Sequence, residues 1–460
     1  MTTIVVSNRG PFQFTAGPDG TFRAQPGAGG LASSLRPLLL SGAAGPDGAW
    51  VAAAVSEGDR AAARAGAVDT PGIRLTLLDL DPATYRLAYD LVSNGTLWFL
   101  HHGLFDLPRR PRFDHRWHEA WAGYERVNRA FADAILELAD DGDVVLVQDL
   151  HLTLVPGILR AARPDLRLVY FTHTAFCGPN SIQVLPTEVA RALCASMADA
   201  PCGFHAARWA RAYEASARDT LGEAARLSPT FVTPLGPDPD ALAATAADLD
   251  TRAALAELDG LVGDRAVLLR VDRIDPSKNV LRGFHAYDRL LELHPAWRER
   301  VVFVARLNAS RETVAEYQAY HQEVELAADR VNDRWATAGW EPVILDAVDD
   351  YRRTVAAMLR YDVLLVNSVK DGLNLVAKEG PLVNERDGVL CLSPGAGAWD
   401  ELGSAALEVH PFDIEQAAGA LHAALSMSKG ERGTRAARLR ELAGRHTPRE
   451  WFEAQLSRVA

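Results

Sequence analysis

Short apolar runs rich in β-branched residues alternate with segments of helical periodicity along most of the chain. The clearest runs span residues 4–6, 144–147, 168–171, 266–269, 301–304, 363–366 and 389–392. Strands that alternate with helices predict parallel sheets connected by helical crossovers, and therefore an α/β fold.

Some helix ends and one hairpin can also be placed from local signals. Asp413 offers an N-cap with Gln416 three residues later, before an apolar-periodic segment that runs to Met427. Residues 312–335 are polar on most faces, which predicts a long surface helix. Segments 11–14 and 21–23 flank a Gly-Pro-Asp-Gly turn at 17–20, which predicts a hairpin that could serve as a flap over a cleft.

A length of 460 residues predicts two or three domains. The Ala/Asp-rich segment 237–264 is the expected hinge between halves. We therefore predict an N-terminal domain over 1–236, a second domain over 237–440, and a C-terminal segment over 441–460 whose helix crosses back to the first domain.

Charge and cysteine usage narrow the functional class. The formal net charge of −12 argues against nucleic acid or an anionic membrane as a general partner, so cations that bind an anionic substrate must be concentrated locally. The four cysteines show no metal-ligand spacing, which predicts reduced thiols and no metal site. Without a basic leader or a bilayer-length apolar stretch, we expect a cytoplasmic protein.

Polar residues that follow the predicted strands are the candidate site residues, because α/β sheets bind ligands at the carboxyl ends of their strands. Any one of them alone is more often a surface or capping residue, so the case depends on their coincidence at strand ends. These candidates are Arg9, Asp149, His151 and His173 in the first half, and Arg273, Lys278, Arg306, Arg311, Asp371 and Glu379 in the second.

Two segments of the second half together predict a nucleotide-sugar site. Segment 273–279 places Arg273 and Lys278 where a strand ends and a helix begins, as a phosphate site requires. Segment 371–379 places a glycine and backbone amides at a helix start, with Glu379 further along that helix. A glutamate there can accept two hydrogen bonds from a ribose diol.

These segments resemble the retaining GT-B glycosyltransferase family that contains the trehalose-6-phosphate synthases, over nearly the full length. The matching segments are 5–9, 29–31, 93–94 with 97–98, Asp149 with His151, His173, 273–278, Arg311, 360–363 and 371–379. The resemblance implies two Rossmann-like, doubly wound domains that face a central cleft. It also implies transfer of glucose from a nucleoside-diphosphate glucose to glucose 6-phosphate, giving α,α-trehalose 6-phosphate, and a separate trehalose-6-phosphate phosphatase that acts afterwards. Whether the chain forms a homo-oligomer stays open.

The resemblance also assigns roles to single residues. The implied catalytic residues are Arg273, Lys278, His173 and Asp149; the donor-binding residues are Gly30, Asp349, Asp371, Gly372, Leu373, Asn374, Leu375 and Glu379; the acceptor-binding residues are Arg9, Tyr89, Trp98 and Arg311. The implied mechanism is front-face displacement, in which the departing phosphate oxygen accepts the proton of the incoming hydroxyl. It needs no enzyme nucleophile, no metal and no cofactor. Two carboxylates could also indicate a glycosidase. Hydrolysis of a simple glycoside does not need a cationic diphosphate site, which argues against that alternative.

Three departures from the family pattern keep rivals open. Residues 174–180 replace the Ile-Pro-Phe-Pro run of most relatives. Asn279 stands where a glycine often follows the lysine and, with residues 381–387, is similar to the validoxylamine-type pseudo-glycosyltransferases, which join cyclitols through nitrogen. A synthase with another acceptor, such as glycerol 3-phosphate, and a catalytically silent sugar-phosphate sensor are the further rivals.

The donor base is the third departure. Asp349 occupies the position whose backbone meets the uracil ring in relatives. A carboxylate can accept two hydrogen bonds from guanine but would face the acceptor oxygens of uracil, which favours GDP-glucose over UDP-glucose. The alternative is that Asp349 or Asp350 caps the following helix.

Overall fold

Strands and helices alternate along the chain, as its hydrophobic pattern predicts. The computed structural model describes residues 2–17, 21–27, 30–42, 48–68, 70 and 72–459. The strands are β1 (Thr3–Val6), β2 (Phe12–Ala16), β3 (Phe22–Pro26), β4 (Ala49–Ala53), β5 (Arg74–Leu78), β6 (Val144–Gln148), β7 (Arg167–Phe171), β8 (Cys202–Phe204), β9 (Thr230–Val232), β10 (Ala266–Arg273), β11 (Val301–Asn308), β12 (Val343–Asp346), β13 (Val363–Val366), β14 (Val389–Leu392) and β15 (Leu407–Glu408). All seven runs predicted from the sequence are strands.

The helices connect these strands. They are α1 (Gly30–Leu40), α2 (Glu57–Arg64), α3 (Pro82–Arg86), α4 (Trp98–His102), α5 (His115–Leu138), α6 (Val155–Ala162), α7 (Pro179–Ile182), α8 (Thr187–Ala198), α9 (Ala207–Leu221), α10 (Pro239–Ala247), α11 (Leu249–Val262), α12 (Val280–Leu293), α13 (Ala315–Trp335), α14 (Tyr351–Arg360), α15 (Val376–Val383), α16 (Trp399–Leu402), α17 (Ile414–Ser426), α18 (Lys429–Ala443) and α19 (Pro448–Leu456). A π-helix, Leu87–Leu97, joins α3 to α4.

The chain divides into two compact units. Unit 1 comprises the residues up to Pro234 together with those from Pro448 onward, and unit 2 runs from Leu235 to Thr447. Helix α19 therefore belongs to unit 1 although it is the last helix of the chain. The Ala/Asp-rich segment 237–264 lies in unit 2 and contains α10 and α11.

Each unit contains a parallel sheet whose connections change direction near its centre. The order in unit 1 is β5-β4-β1-β6-β7-β8-β9, and in unit 2 it is β12-β11-β10-β13-β14-β15. Neighbouring strands in both sheets run parallel. The direction reverses between β1 and β6 in unit 1, and between β10 and β13 in unit 2. Such reversal points open crevices at the carboxyl ends of the strands, where α/β proteins bind ligands.

The locally predicted elements are present. Strands β2 and β3 form an antiparallel hairpin, and residues 18–20 of its turn lie outside the described residues. Asp413 caps α17 by accepting a hydrogen bond from the Gln416 amide. Strand β4 escaped the sequence analysis because its residues, Ala-Trp-Val-Ala-Ala, are mostly small, although all five are buried.

A buried carboxylate anchors the sheet of unit 2 at the end opposite its ligand-binding edge. Asp362, 5% exposed, precedes β13 and accepts hydrogen bonds from the Val267 amide at 2.9 Å and Arg360 Nη1 at 3.1 Å. Arg432 Nη2 approaches its other oxygen at 3.2 Å. Because Arg360 is also buried, removal of Asp362 takes the buried carboxylate away from a desolvated guanidinium, which then keeps its pair with the half-exposed Asp259.

Replacement of Asp362 by Ala should lower the free energy of unfolding by about 3 kcal/mol or more, since breaking a buried ion pair has that cost. Urea unfolding followed by tryptophan fluorescence measures it. The matched control is Asp259→Ala, because Asp259 binds the same Arg360 at 2.7 Å but is 51% exposed. We expect that variant to lose less than about 1 kcal/mol. Equal losses in the two variants would contradict the anchoring role of Asp362.

Candidate active site

The carboxyl edge of the unit 1 sheet brings three predicted residues to neighbouring strands. Arg9 follows β1, Asp149 follows β6 and His173 follows β7, and these strands are adjacent in that order. Asp149 Oδ1 accepts a hydrogen bond from the His173 amide at 3.1 Å. Asp149 has a positive φ of 71°, a conformation that costs energy in a non-glycine residue and often marks a functional position.

The predicted acceptor residues Tyr89 and Trp98 lie on or beside the π-helix. The Tyr89 ring stacks between Tyr85, at 5.7 Å, and His151, at 5.5 Å. The Tyr85 hydroxyl donates to Asn8 Oδ1 at 3.0 Å, so Tyr89 is linked to the residue that precedes Arg9. Tyr89, Arg9 and Asp149 therefore share one region of unit 1.

Side chains stabilise the unusual winding of this helix. Asn94 Nδ2 donates to the Tyr89 carbonyl at 2.9 Å and Thr96 Oγ1 donates to the Leu91 carbonyl at 2.7 Å, both five residues back. The buried Asn94 Oδ1 has no hydrogen-bond partner among the described residues. π-Helical turns are rare and often occur at functional sites, and this one determines where Tyr89 and Trp98 point.

Trp98 and Gly30 have simpler surroundings. Trp98 is 8% exposed and stacks on His102 at 4.1 Å, so most of its indole is packed inside unit 1. Gly30 begins α1 and is exposed. Its neighbour Gly29, part of the segment that resembles the family, lies outside the described residues.

In unit 2, buried groups fix the loop that carries the predicted cations. Arg270, fully buried in β10, donates to Asn367 Oδ1 at 2.5 Å and also to the Lys278 carbonyl. Asp275, also fully buried, accepts from the amide of Ser277 at 2.9 Å. The loop therefore presents Lys278 from a rigid backbone, while Arg273 at the end of β10 is exposed.

Asn279 explains one departure from the family pattern. Its φ is 62°, in the left-handed region that glycine adopts most easily and asparagine tolerates. Its buried side chain donates to the Asn367 carbonyl at 2.9 Å and the Pro411 carbonyl at 2.6 Å. Asn279 thus meets a backbone requirement that glycine would also meet, and adds two loop contacts.

The predicted donor loops meet at the reversal point of the unit 2 sheet. Lys278, after β10, forms an ion pair with Asp371, in the loop after β13. Asn374 Nδ2 donates to the same Asp371 oxygen at 3.1 Å, and Asn374 Oδ1 accepts from the Ala377 amide at 3.1 Å. Asn374 therefore ties Asp371 to the beginning of α15.

A second loop, residues 393–398, holds the backbone of this segment. The Gly397 amide donates to the Asp371 carbonyl at 3.1 Å and the Ala398 amide to the Leu373 carbonyl at 2.7 Å. A Cβ at Gly397 would lie 2.0 Å from the Gly372 carbonyl oxygen, so the approach requires glycine. The Pro-Gly-Ala-Gly composition of this loop indicates a turn, but nothing in its sequence marks it as part of the site. Leu375 immediately precedes α15.

Two adjacent residues of α15 differ in their environment. Lys378 is fully buried, and its Nζ donates to both oxygens of Glu401 at 3.0 Å and to the Leu235 carbonyl at 3.1 Å. Burial lowers the pKa of Lys378, and Glu401 opposes that shift. Burial raises the pKa of Glu379 to about 7. A carboxyl with a raised pKa in the predicted donor segment is a candidate ligand-binding group.

The acidic pair after β12 is divided between two roles. Asp350 Oδ1 accepts from the Arg353 amide at 3.2 Å and so caps α14. Asp349 is exposed and accepts from Asn308 Nδ2 at 2.8 Å. Arg306 donates to the Val348 carbonyl at 3.1 Å and pairs with Asp346, which holds the loop in place. The cap predicted as an alternative is formed by Asp350, not by Asp349.

Arg311 lies in unit 2 against the cation-bearing loop. Its Nη1 donates to Asp275 Oδ2 at 2.6 Å and to the Tyr317 hydroxyl at 2.7 Å. The side chain is 7% exposed, and its φ is 49°. Arg311, which is predicted to bind the acceptor phosphate, is therefore held in one orientation by the buried carboxylate of Asp275.

Within the described residues, no group of three or more His, Cys, Asp or Glu side chains is placed to hold a metal ion. No helix in the described part of the chain has the length and apolar character needed to cross a membrane.

Comparison with known proteins identifies the family of the chain. The chain matches the model of glycosyltransferase family 20 over residues 1–460. It is 33% identical to the trehalose-6-phosphate synthase of Mycobacterium marinum, over 99% of this chain and 93% of that protein. It is 32% identical to the validamine 7-phosphate valienyltransferase of Streptomyces hygroscopicus subsp. jinggangensis, over 89% of this chain and 85% of that protein.

Solved structures support the fold. The chain matches a UDP-forming α,α-trehalose-phosphate synthase from Burkholderia xenovorans in complex with glucose-6-phosphate, with a TM-score of 0.83, 28% identity and 100% coverage of both chains. This similarity, with the parallel sheets, confirms the predicted GT-B fold class.

The raised pKa of Glu379 predicts a pH-dependent stability. Glu379 has a folded-state pKa of about 7 against the usual 4.5, so the folded protein binds a proton between these values that the unfolded chain does not. Stability from this group is present below pH 4.5 and is lost as the pH rises through 7. We therefore expect Glu379→Gln to be more stable than the wild type at pH 8, with the difference vanishing near pH 4.5.

Urea unfolding across this pH range measures the difference. Glu323→Gln, at an exposed position of α13, is the control for loss of one negative charge. A pH-independent difference between Glu379→Gln and the wild type would contradict the raised pKa.

Proposed function

Because the chain belongs to glycosyltransferase family 20 and is therefore a glycosyltransferase, we propose that it is an α,α-trehalose-6-phosphate synthase. It transfers glucose from a nucleoside-diphosphate glucose to glucose 6-phosphate with retention of configuration. The synthase of Mycobacterium marinum matches 99% of the chain, which supports this proposal over the other activities of the fold.

One observation carries the proposal: the Lys278–Asp371 pair at the reversal point of the unit 2 sheet. An ammonium has three donors, and Asp371 orients it where an α/β sheet binds a phosphate group. A sugar site needs both a cation for the departing diphosphate and a carboxylate for hydroxyl groups. The two loops supply them side by side.

The donor is assigned to unit 2 groups and to His173. Arg273 and Lys278 bind the diphosphate and stabilise the charge that develops as the glycosidic bond breaks. Glu379 accepts the ribose hydroxyls, and Asp371 with the backbone of residues 372–375 positions the sugar. The departing phosphate oxygen takes the proton of the attacking hydroxyl, so neither an enzyme nucleophile nor a metal or other cofactor is part of the proposal.

The acceptor is assigned to Arg9, Tyr89, Trp98 and Arg311, with Asp149 near the reacting hydroxyls. An arginine fork suits a phosphate because it donates two parallel hydrogen bonds. Stacking fixes the Tyr89 ring between two others, so its hydroxyl is pre-oriented at little entropic cost. A separate phosphatase would then act on the product.

We propose GDP-glucose as the preferred donor. Asp350 caps α14, which leaves Asp349 exposed beside Asn308. A carboxylate and an amide together can accept from the N1 and N2 hydrogens of guanine, whereas uracil presents acceptor oxygens to the carboxylate.

A second candidate is a pseudo-glycosyltransferase that couples an activated cyclitol to an amino-cyclitol phosphate. The 32% identity to a validamine 7-phosphate valienyltransferase favours it. Asn279 no longer does, because its left-handed backbone and its two carbonyl contacts account for it.

The test is nucleotide release from GDP-, UDP- and ADP-glucose, each with and without glucose 6-phosphate, with the sugar product identified. We expect trehalose 6-phosphate and the highest kcat/KM with GDP-glucose. Asp349→Ala should reduce the GDP preference. The control is Ala347→Ser, a change at an exposed and uncharged position of the same loop, which should keep that preference. Asp346 is unsuitable as a control because its pair with Arg306 holds the loop.

Faster turnover with UDP-glucose would overturn the base assignment and keep the synthase. Absence of glucose 6-phosphate-dependent release from every donor would overturn the synthase. Turnover with an amino-cyclitol phosphate instead would then establish the second candidate.

Arg311→Ala should raise the KM for glucose 6-phosphate by about tenfold or more, the effect of losing one charge-assisted bond to phosphate. Steady-state kinetics with each substrate varied in turn measures it. Because Arg311 also holds Asp275, Tyr317→Phe is the matched control: it removes a contact to Arg311 but keeps the guanidinium. An equal rise in the donor KM would show that Arg311 acts through the loop instead.

A further inference from the structure

A chain of side-chain amides links the last helix of the protein to His173. Gln455 of α19 accepts at its Oε1 a hydrogen bond from Gln148 Nε2 at 3.0 Å, across 307 positions of sequence. Gln148 Oε1 lies 3.0 Å from His173 Nε2. Gln455 is fully buried and Gln148 is 1% exposed, so bulk water cannot substitute for either partner.

The backbone of α19 determines the direction of both side-chain hydrogen bonds that link Gln455 through Gln148 to His173. Gln455 Nε2 faces the Trp451 carbonyl at 3.5 Å, and a carbonyl can only accept. Gln455 must therefore direct its Oε1 towards Gln148. Gln148 must donate a hydrogen bond to that oxygen from its NH₂ group. Gln148 then presents its own oxygen to the imidazole, which can bond to it only if Nε2 of His173 carries a hydrogen.

The other ring nitrogen of His173 is also engaged. His173 Nδ1 lies 3.1 Å from His205 Nε2, and in a neutral imidazole Nδ1 must accept when Nε2 donates. Among the residues that the structure describes, the titratable groups that face His173 are Asp149, from the end of β6, and His205, after β8. Helix α19 presents the uncharged Trp451 to the ring. Burial lowers the pKa of His173, and Asp149 opposes that shift.

We propose that Gln455, acting through Gln148, fixes His173 as the neutral tautomer protonated at Nε2, and that Gln455 is thereby a positioning residue for the donor sugar. Both ring nitrogens are held by protein groups, so His173 does not exchange a proton with the reacting hydroxyl. It supplies a fixed surface at the edge of the unit 1 sheet. The tautomer is a property of the protein alone, whereas the positioning role depends on the proposed function.

The tautomer can be measured directly. In ¹⁵N-histidine-labelled protein, two-bond ¹H–¹⁵N correlation spectra distinguish a protonated from an unprotonated ring nitrogen, and His173→Asn assigns the signals. We expect the wild type at neutral pH to show a protonated Nε2 and an unprotonated Nδ1. A protonated Nδ1, or two averaged nitrogens, would overturn the proposal before any variant of Gln455 is made.

Two variants test the part played by Gln455. Gln455→Met keeps the length of the side chain but removes the acceptor, so Gln148 can rotate and the His173 signals should become averaged. Gln455→Glu keeps an acceptor for Gln148 and should retain the wild-type tautomer. The control is Gln416→Met on α17 of unit 2, where an exposed glutamine also loses two amide contacts. An unchanged tautomer in Gln455→Met would overturn the relay.

Kinetics test the positioning role separately. Gln455→Met should raise the donor KM about fivefold, the effect of losing the orientation given by one hydrogen bond, with the acceptor KM unchanged. Gln455→Glu and Gln416→Met should behave as the wild type. An averaged tautomer with an unchanged donor KM would overturn the positioning role. Inactivity of the wild type with every donor would instead count against the proposed function, since the tautomer does not depend on it.

Discussion

Buried charges and amides at the carboxyl ends of the strands must find partners within the protein, and this requirement shapes the candidate site residues of both units. Arg270 is the clearest case. It lies fully buried inside a strand, where an unpaired guanidinium would cost several kcal/mol. Its partners are Asp272, Asn367 and the Lys278 carbonyl. The hydrogen bonds that satisfy the buried guanidinium of Arg270 therefore also fix the loop that carries Lys278.

Unit 1 meets the same requirement with neutral groups. Gln148 at the end of β6 is buried, and its amide needs one donor and one acceptor. Gln455 and His173 provide them. A neutral relay of this kind avoids the desolvation cost of an ion pair while still giving the imidazole one orientation. In both units the residues proposed to bind substrate are thus oriented by buried groups that would not touch it.

The sequence predicts the strands and the loops that follow them, because apolar runs and strand-end charges are local signals. It also predicts that Asp371 and Lys278 belong to the same nucleotide-sugar site. It does not predict Gln455 or residues 393–398, since their importance comes from contacts with distant segments. Gln455 meets a partner 307 positions away, and no pattern within one helix indicates which glutamine will be buried. Strand β4 was missed for a different reason: its small residues have weak β-propensity and are strands because neighbours bury them.

The acidic doublet after β12 shows how a local rule can leave a residue available for recognition. A helix start needs only one capping acceptor, and Asp350 supplies it. Asp349 does not cap the helix, but neighbouring side chains fix its position. Arg306 holds the loop through the Val348 carbonyl and Asn308 orients one Asp349 oxygen. An exposed carboxylate that is oriented but not consumed by the fold can discriminate between ligands, because a base with hydrogen-bond donors gains from it and a base with acceptors is repelled.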